Sequence, residues 1–280
     1  MARIKKRDKA NVPPGQETPL DFAVSSRDAG TLQMVQDAIH HKQVMLAFQP
    51  IMNASDQTTP AFYEGLIRVL DETGRVIPAK DFMGAVEDTE LGRQLDCLAL
   101  ELGLAELSQN PSLRLSINMS ARSIGYSRWM RSLQRGLRKR PDAGERLILE
   151  ISEGSALQVP ELVIDFMDKL QGKGIAFALD DFGKGFTSFR YFKDFYFDIL
   201  KLDGQFSRNV HRDSENQIIA AGIAAIAERF DMYTVATRIE DPKDAHVLAD
   251  LGFDCLQGFL FGPPTTKPDW QTSKNDRNAA

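Results

Sequence analysis

Carboxylates set inside apolar, strand-like runs are the residues of this chain best placed to do chemistry. Glu64 lies near the start of one run and Asn118 near the end of the next. Glu150 interrupts a third, with Ser152 and Glu153 just beyond, and Asp180 and Asp181 cap a fourth. Lys201 and Asp203 close a fifth, and Arg68 shares the face of Glu64 by the two-residue period of a strand. One Asp after a strand is ordinarily a turn or a helix cap, and Asp203-Gly204 alone reads as a turn. The conjunction is different. Several acids gathered away from water must be paired or metal-bound, and Lys201 neutralises only one. Carboxylates and an amide, with no His or Cys among them, are hard oxygen donors that favour Mg²⁺ or Mn²⁺ over Zn²⁺. Adjacent Asp180 and Asp181 can serve two cations about 4 Å apart, an arrangement that activates water and stabilises in-line displacement at phosphorus. Lys201 can then position water or steady the developing charge. A lysine base beside a metal can instead abstract a proton next to a carboxylate, and these residues alone leave both chemistries open.

Such residues need a scaffold that brings distant strands to one mouth. The strand candidates are Val44–Ile51, Phe62–Val69, Leu113–Met119, Leu147–Ile151, Ile175–Leu179, Phe197–Leu202, Met232–Ala236 and Cys255–Phe261. Helical patterns fall between most of them, at Asp81–Leu107, Trp129–Lys139, Pro160–Gln171, Ser214–Phe230 and Pro242–Leu251. Strand-then-helix repetition points to parallel βαβ units, and eight strands in about 220 residues fit one α/β domain, a (β/α)8 TIM-barrel-like fold. Polar groups at the C-terminal ends of several barrel strands read as catalytic. The Ile51–Phe62 connection is too short and polar for a crossover helix, so the first strand is expected to run antiparallel to the others. Gly183-Lys184-Gly185 lacks the spacing of a dinucleotide or Walker loop.

Composition narrows the class. The chain has 280 residues, 42% hydrophobic and 26% charged, which excludes wholesale disorder. A formal net charge of -5 argues against DNA binding. No membrane span or signal segment is evident, so a cytoplasmic location is expected. Cys97 and Cys255 read as reduced, buried thiols, and His40, His41, His211 and His246 as surface residues. Residues 1–28 carry Arg3, Lys5, Lys6, Arg7 and Lys9 and read as a basic, disordered tail; residues 269–280 read as a polar C-terminal tail. The barrel is assigned to 29–268, standing alone because no partner domain fits in the 28 residues before it.

The ordered motifs Phe48-Gln49-Pro50-Ile51, Glu64-Gly65-Leu66-Ile67-Arg68, Asn118-Met119-Ser120 and Glu150-Ile151-Ser152-Glu153 make the chain resemble the EAL-domain family of bacterial cyclic di-GMP phosphodiesterases. Asp180-Asp181-Phe182-Gly183-Lys184-Gly185-Phe186, Leu200-Lys201-Leu202-Asp203 and Gln257-Gly258-Phe259-Leu260-Phe261 extend the resemblance across roughly residues 31–268. It implies a barrel with a reversed first strand and cleavage of cyclic di-GMP to linear pGpG in second-messenger signalling. Carried over, Glu64, Asn118, Glu150 and Asp180 would hold a first Mg²⁺ or Mn²⁺, and Asp180 and Asp181 a second. Lys201 would contact the attacking water, Gln49 and Arg68 the substrate backbone, and Asp203 a guanine. Glu153 would anchor the loop Asp181–Ser188, which in the family links the metal site to a dimer interface, so a homodimer is plausible by the same resemblance.

Two departures follow. The signature Ala is Gly65, which should cost little. Where the family has Glu-Gly, this chain has Thr237-Arg238; Thr237 is a poor ligand for a divalent ion, and Arg238 adds bulk and positive charge that can hold phosphate. Glu240 matches the motif's second Glu. The expected function is therefore a phosphodiesterase weakened at its second metal, with a non-catalytic cyclic di-GMP receptor as the alternative and an unrelated metal-dependent lyase as a third reading.

Overall fold

Two-residue alternation sends one set of strand side chains to a barrel axis and the other to the surrounding helices. The computed structural model describes residues 19–185 and 193–271. Its strands are β1 (Val44–Asn53), β2 (Pro60–Leu70), β3 (Val76–Pro78), β4 (Leu115–Asn118) and β5 (Leu147–Ser152), then β6 (Ala176–Phe182), β7 (Ile199–Leu202), β8 (Tyr233–Ala236) and β9 (Cys255–Leu256). They run in the order β1-β9-β8-β7-β6-β5-β4-β2, and pairing of β1 with β2 closes an eight-stranded barrel. β1 is antiparallel to both its neighbours and the remaining barrel pairings are parallel, as the short first connection requires. β3, which the sequence reading lacks, is an antiparallel appendage on β2.

The helices are α1 (Pro19–His40), α2 (Met83–Val86), α3 (Glu90–Gln109), α4 (Ser127–Lys139), α5 (Glu153–Ala156), α6 (Pro160–Gln171), α7 (Gly204–Ser207), α8 (Ser214–Arg229) and α9 (Pro242–Asp250). The single helix expected over Asp81–Leu107 is broken before Glu90. Thr89 caps the new helix by accepting from Leu91 N–H at 3.2 Å, and Gly92 lies so close to the Val86 and Glu87 carbonyls that a Cβ there would sit 2.7 Å from each. The last strand stops at Leu256 rather than Phe261, because Gly258 turns the chain tightly against the Ile239 backbone.

The expected tail boundaries also move. α1 begins at Pro19, inside the segment read as disordered, and Val35 and Ala38 are buried where it packs on the α2–α3 side. At the other end Trp270 stacks edge-on against Phe48 and Tyr63 at 5.3 and 4.5 Å and donates to Glu106, so the packed chain continues past 268. Residues 1–18 and 272–280, with the basic cluster of Arg3 to Lys9, lie outside the described residues. Among the described residues no helix is long and apolar enough to cross a membrane.

Ile51, Phe62, Ile148, Ala178, Ile199, Val235 and Cys255 form a closed apolar cluster, one residue from each of seven barrel strands. This plug fills the barrel interior. The larger core lies between the barrel's outer face and the helices and contains Cys97; both thiols are buried, which pushes each up to about 12. His211 is not on the surface: only 11% of its side chain is exposed, and its Nδ1 lies 2.6 Å from Asp244.

Candidate active site

One step of the strand period separates the apolar plug from the chemistry. Moving two residues toward the C-terminal mouth converts Phe62 to Glu64, Ile148 to Glu150, Ala178 to Asp180, Ile199 to Lys201, Val235 to Thr237 and Cys255 to Gln257. In reversed β1 the same step runs backward, from Ile51 to Gln49, which pairs directly across from Glu64. A polar layer therefore caps the plug.

Lys201, 2% exposed, is its hub. The ammonium lies 3.0 Å from Glu64 Oε2, 2.5 Å from Glu150 Oε2 and 3.5 Å from Asp180 Oδ1. Glu64 also accepts from Asn118 Nδ2 at 2.7 Å and from Gln257 Nε2 at 2.7 Å. Burial pushes Glu64 up, but Lys201 and these amides outweigh it and hold the carboxyl below its ordinary value. Glu150 goes the other way: burial, then the charges of Glu64 and Asp180, raise it to about 8 despite Lys201. Burial likewise raises Asp180. Burial opposes charge on Lys201 too, yet its three carboxylate neighbours raise it well above the usual lysine range.

Three carboxylates around one ammonium leave an excess of buried negative charge, and Glu150 Oε1 is buried without a hydrogen-bond partner among the described residues. An orphaned hard oxygen beside surplus anions, at an open mouth carrying exposed Asn118, fits a divalent cation held by Glu64, Asn118, Glu150 and Asp180. As the side chains stand, no three His, Cys, Asp or Glu residues among those described converge as ligands, since Lys201 Nζ takes the space between the acids. The donor chemistry fits; the grip would have to form around the ion.

The other expected site residues have defined positions. Asp180 and Asp181 sit at a register shift in β6, with Asp181 in the left-handed region at φ 55. That bulge turns Asp181 away from Lys201, and its Oδ2 pairs with Lys184 at 2.5 Å. Glu153 accepts from Gly183 N–H at 3.1 Å, so it holds the start of the loop; residues 186–188 of the expected Asp181–Ser188 segment lie outside the described residues. Buried Gln49 donates to Gly262 O and accepts from Gln257, while half-buried Arg68 donates to the Ile67 carbonyl. Burial lowers Arg68 against the pull of Glu64. Asp203 caps α7 by accepting from Gln205 N–H at 2.9 Å.

Thr237 occupies the β8 position of the polar layer, and its hydroxyl donates to Leu202 O at 2.8 Å. Arg238 is exposed and adopts φ 59, a conformation natural to the glycine it replaces. Glu240 pairs with Arg208 at 2.5 Å, away from the acids. Two further residues belong to the site: counting two from Cys255 finds Gln257, which donates to Glu64, and the i,i+3 spacing to Asp181 finds Lys184. A cleft of about 300 Å³ beside the acids is lined by Ser120, Arg122, Ser152, Asp181 and Lys184. A larger cavity of about 570 Å³, between Ala224, Met232, Thr234 and Asp254, opens at the strands' opposite end and contains none of this chemistry.

A closed barrel with one reversed strand and a carboxylate–lysine layer at its C-terminal mouth defines an acid-lined member of the TIM-barrel-like class. The chain belongs to the EAL domain family, whose model matches residues 32–264. It is 29% identical over 237 residues to the cyclic di-GMP phosphodiesterase PdeF of Escherichia coli, covering 83% of this chain and 31% of that protein. The chain spans about a third of the length of the curated relatives it matches. It resembles the structure of the PaMucR phosphodiesterase in complex with c-di-GMP, with a TM-score of 0.74 at 25% identity, covering 87% of this chain and 99% of that one. Klebsiella pneumoniae BlrP1, in a manganese and cyclic di-GMP complex, shares the fold at a TM-score of 0.68 and 23% identity, covering 80% of this chain and 56% of that one.

Proposed function

We propose that this barrel is a cyclic di-GMP phosphodiesterase, opening the cyclic dinucleotide to linear pGpG by addition of water across one phosphodiester bond. The observation that carries the reading is the layer of buried Glu64 and Glu150 and half-buried Asp180 around Lys201, with one Glu150 oxygen lacking a hydrogen-bond partner among the described residues. A bound Mg²⁺ or Mn²⁺ would supply the charge that lowers the proton affinity of water and steadies the phosphoryl oxygens. The chain's own residues do the rest. Glu64, Asn118, Glu150 and Asp180 would hold the ion, and Lys201, whose ammonium lies within 3.5 Å of three of those acids, would donate toward the attacking water and the developing charge. The water oxygen bonds to phosphorus as the bridging P–O bond breaks, and the water's proton passes to the departing sugar oxygen.

Gln257 and Asn118 fix the Glu64 carboxylate from two sides, and Glu153 steadies the Asp181–Gly183 turn. Arg68 and the rim of Asp203 are where the dinucleotide's phosphate and guanine would rest. The relatives' names and the manganese complex of BlrP1 support the same substrate and metal class.

The test is incubation with cyclic di-GMP in Mn²⁺ or Mg²⁺ and chromatography of the nucleotide. Linear pGpG should accumulate and should vanish in Glu64→Gln and Glu150→Gln. Binding of intact ligand without product would make the domain a receptor; neither binding nor product would end the reading.

A further inference from the structure

The second cation position does not fit an ion in this chain. Asp181, the carboxylate such an ion would share, already has a cation: Lys184 Nζ lies 2.5 Å from its Oδ2. Thr237 brings no charge, and its hydroxyl proton is given to Leu202 O. Arg238 brings the wrong sign. Its methylenes lie over Gly204, where an added Cβ would meet Arg238 Cδ at 2.3 Å, so the side chain crosses the rim directly after Asp203. Gln205 Nε2 donates to Gly183 O at 2.9 Å, so the Asp203–Gln205 rim that carries Arg238 adjoins the turn that carries Lys184.

We infer that Lys184, with Arg238 beside it, replaces the second divalent cation, so that the barrel binds one ion and meets the phosphodiester with side-chain charge. The inference rests on the phosphodiesterase reading for its ligand, but the ion count stands apart from it. The arrangement also accounts for both halves of the Thr237-Arg238 departure. Losing the ligand at Thr237 and gaining a cation at Arg238 shift the charge of this edge in one direction, toward the positive charge that Lys184 already supplies. An ammonium cannot polarise water as a divalent ion does, but it can neutralise a phosphate oxygen, and a guanidinium can grip two of them.

Mn²⁺ titrated into metal-free protein, followed by electron paramagnetic resonance and calorimetry, tests this without any turnover. Wild type should bind one Mn²⁺ per chain with an uncoupled six-line spectrum. The variant Lys184→Thr with Thr237→Glu and Arg238→Gly should bind two and show exchange coupling between them. Two ions per wild-type chain overturn the inference, as does a folded triple variant that still binds one. Should the triple variant fail to fold, Lys184→Thr alone decides: it should lose at least tenfold in cyclic di-GMP affinity in Ca²⁺, and an unchanged affinity overturns the inference. Failure of the functional reading looks different, since wild type would then ignore cyclic di-GMP whatever its manganese count.

Discussion

Glu150 on β5 and Lys201 on β7 are separated by a whole strand, yet carboxylate Oε2 and ammonium Nζ lie 2.5 Å apart across the top of β6. Barrel curvature permits this, because side chains from alternate strands converge on the axis. Ala178 is the β6 residue in the layer beneath, and Asp180 completes the triangle above it. The pair is thus a tertiary contact that holds three strands in register.

Removing the hub should be costly. Lys201→Met leaves Glu64, Glu150 and Asp180 buried without a counter-charge, and a loss of about 3 kcal/mol is expected in urea unfolding. Mn²⁺ should return part of that loss. A variant as stable as wild type would mean that water already reaches these acids.

Glu150→Gln should separate stability from ion binding. Above the value of about 8 at which Glu150 ionises, it removes one of the surplus charges, so at pH 9 the metal-free protein should unfold at higher temperature than wild type. Wild type should gain about 2.7 kcal/mol from Mn²⁺ at a hundred times its dissociation constant, a gain the variant loses. Calorimetric melting with and without Mn²⁺ measures both effects.

Asp96 should impose a pH dependence away from the mouth. It is half-buried on α3, accepting from Ser123 Oγ at 2.6 Å and Ser120 N–H at 3.0 Å, and loss of solvent around the carboxyl raises it to about 7. Its folded value exceeds the unfolded value of 3.8, so its contribution is complete below pH 3.8 and is lost as pH rises toward about 7. At 1.4 kcal/mol per pH unit, the difference is on the order of 4 kcal/mol across the window. Urea midpoints from pH 4 to 8 should show this decline in wild type and a shallower one in Asp96→Asn.

Gly65→Ala should destabilise rather than restore. An Ala Cβ would meet Ile117 Cδ1 at 2.7 Å, and the same methyl already lies within reach of Gly103, where a Cβ would be 2.8 Å away. Ile117 therefore occupies the volume an alanine methyl would need. A cost of about 1 kcal/mol is expected, relieved when Ile117→Val is added, and a double-mutant cycle measures the coupling.

The acids were legible because their position breaks a pattern: Glu64, Glu150 and Lys201 are polar where an apolar residue would suit a buried strand. The reversed strand was legible because chain length limits what can cross between parallel neighbours. The bulge at Asp180-Asp181 was not, since nothing in Ala-Leu-Asp-Asp-Phe announces a left-handed aspartate; the turn is set by loop contacts from Glu153 and Gln205 to Gly183. α1 escaped because Pro13, Pro14, Gly15 and Pro19 dominate the stretch before it, and its anchors, Val35 and Ala38, find their partners only in three dimensions. Trp270 was hidden for the same reason: its partners Phe48 and Tyr63 lie more than 200 positions earlier.

The reversed first strand also decides where the chain enters the barrel. Val44 pairs with Val69 near the end of β2, so α1 delivers the chain to the rim that carries the acids, not to the far end. In a barrel with every strand parallel, the entry would lie on the other side of the plug. The junction from His40 to Val44 therefore joins α1 to the mouth beside β2, the strand that carries Glu64, while α1 also packs on α2 and α3.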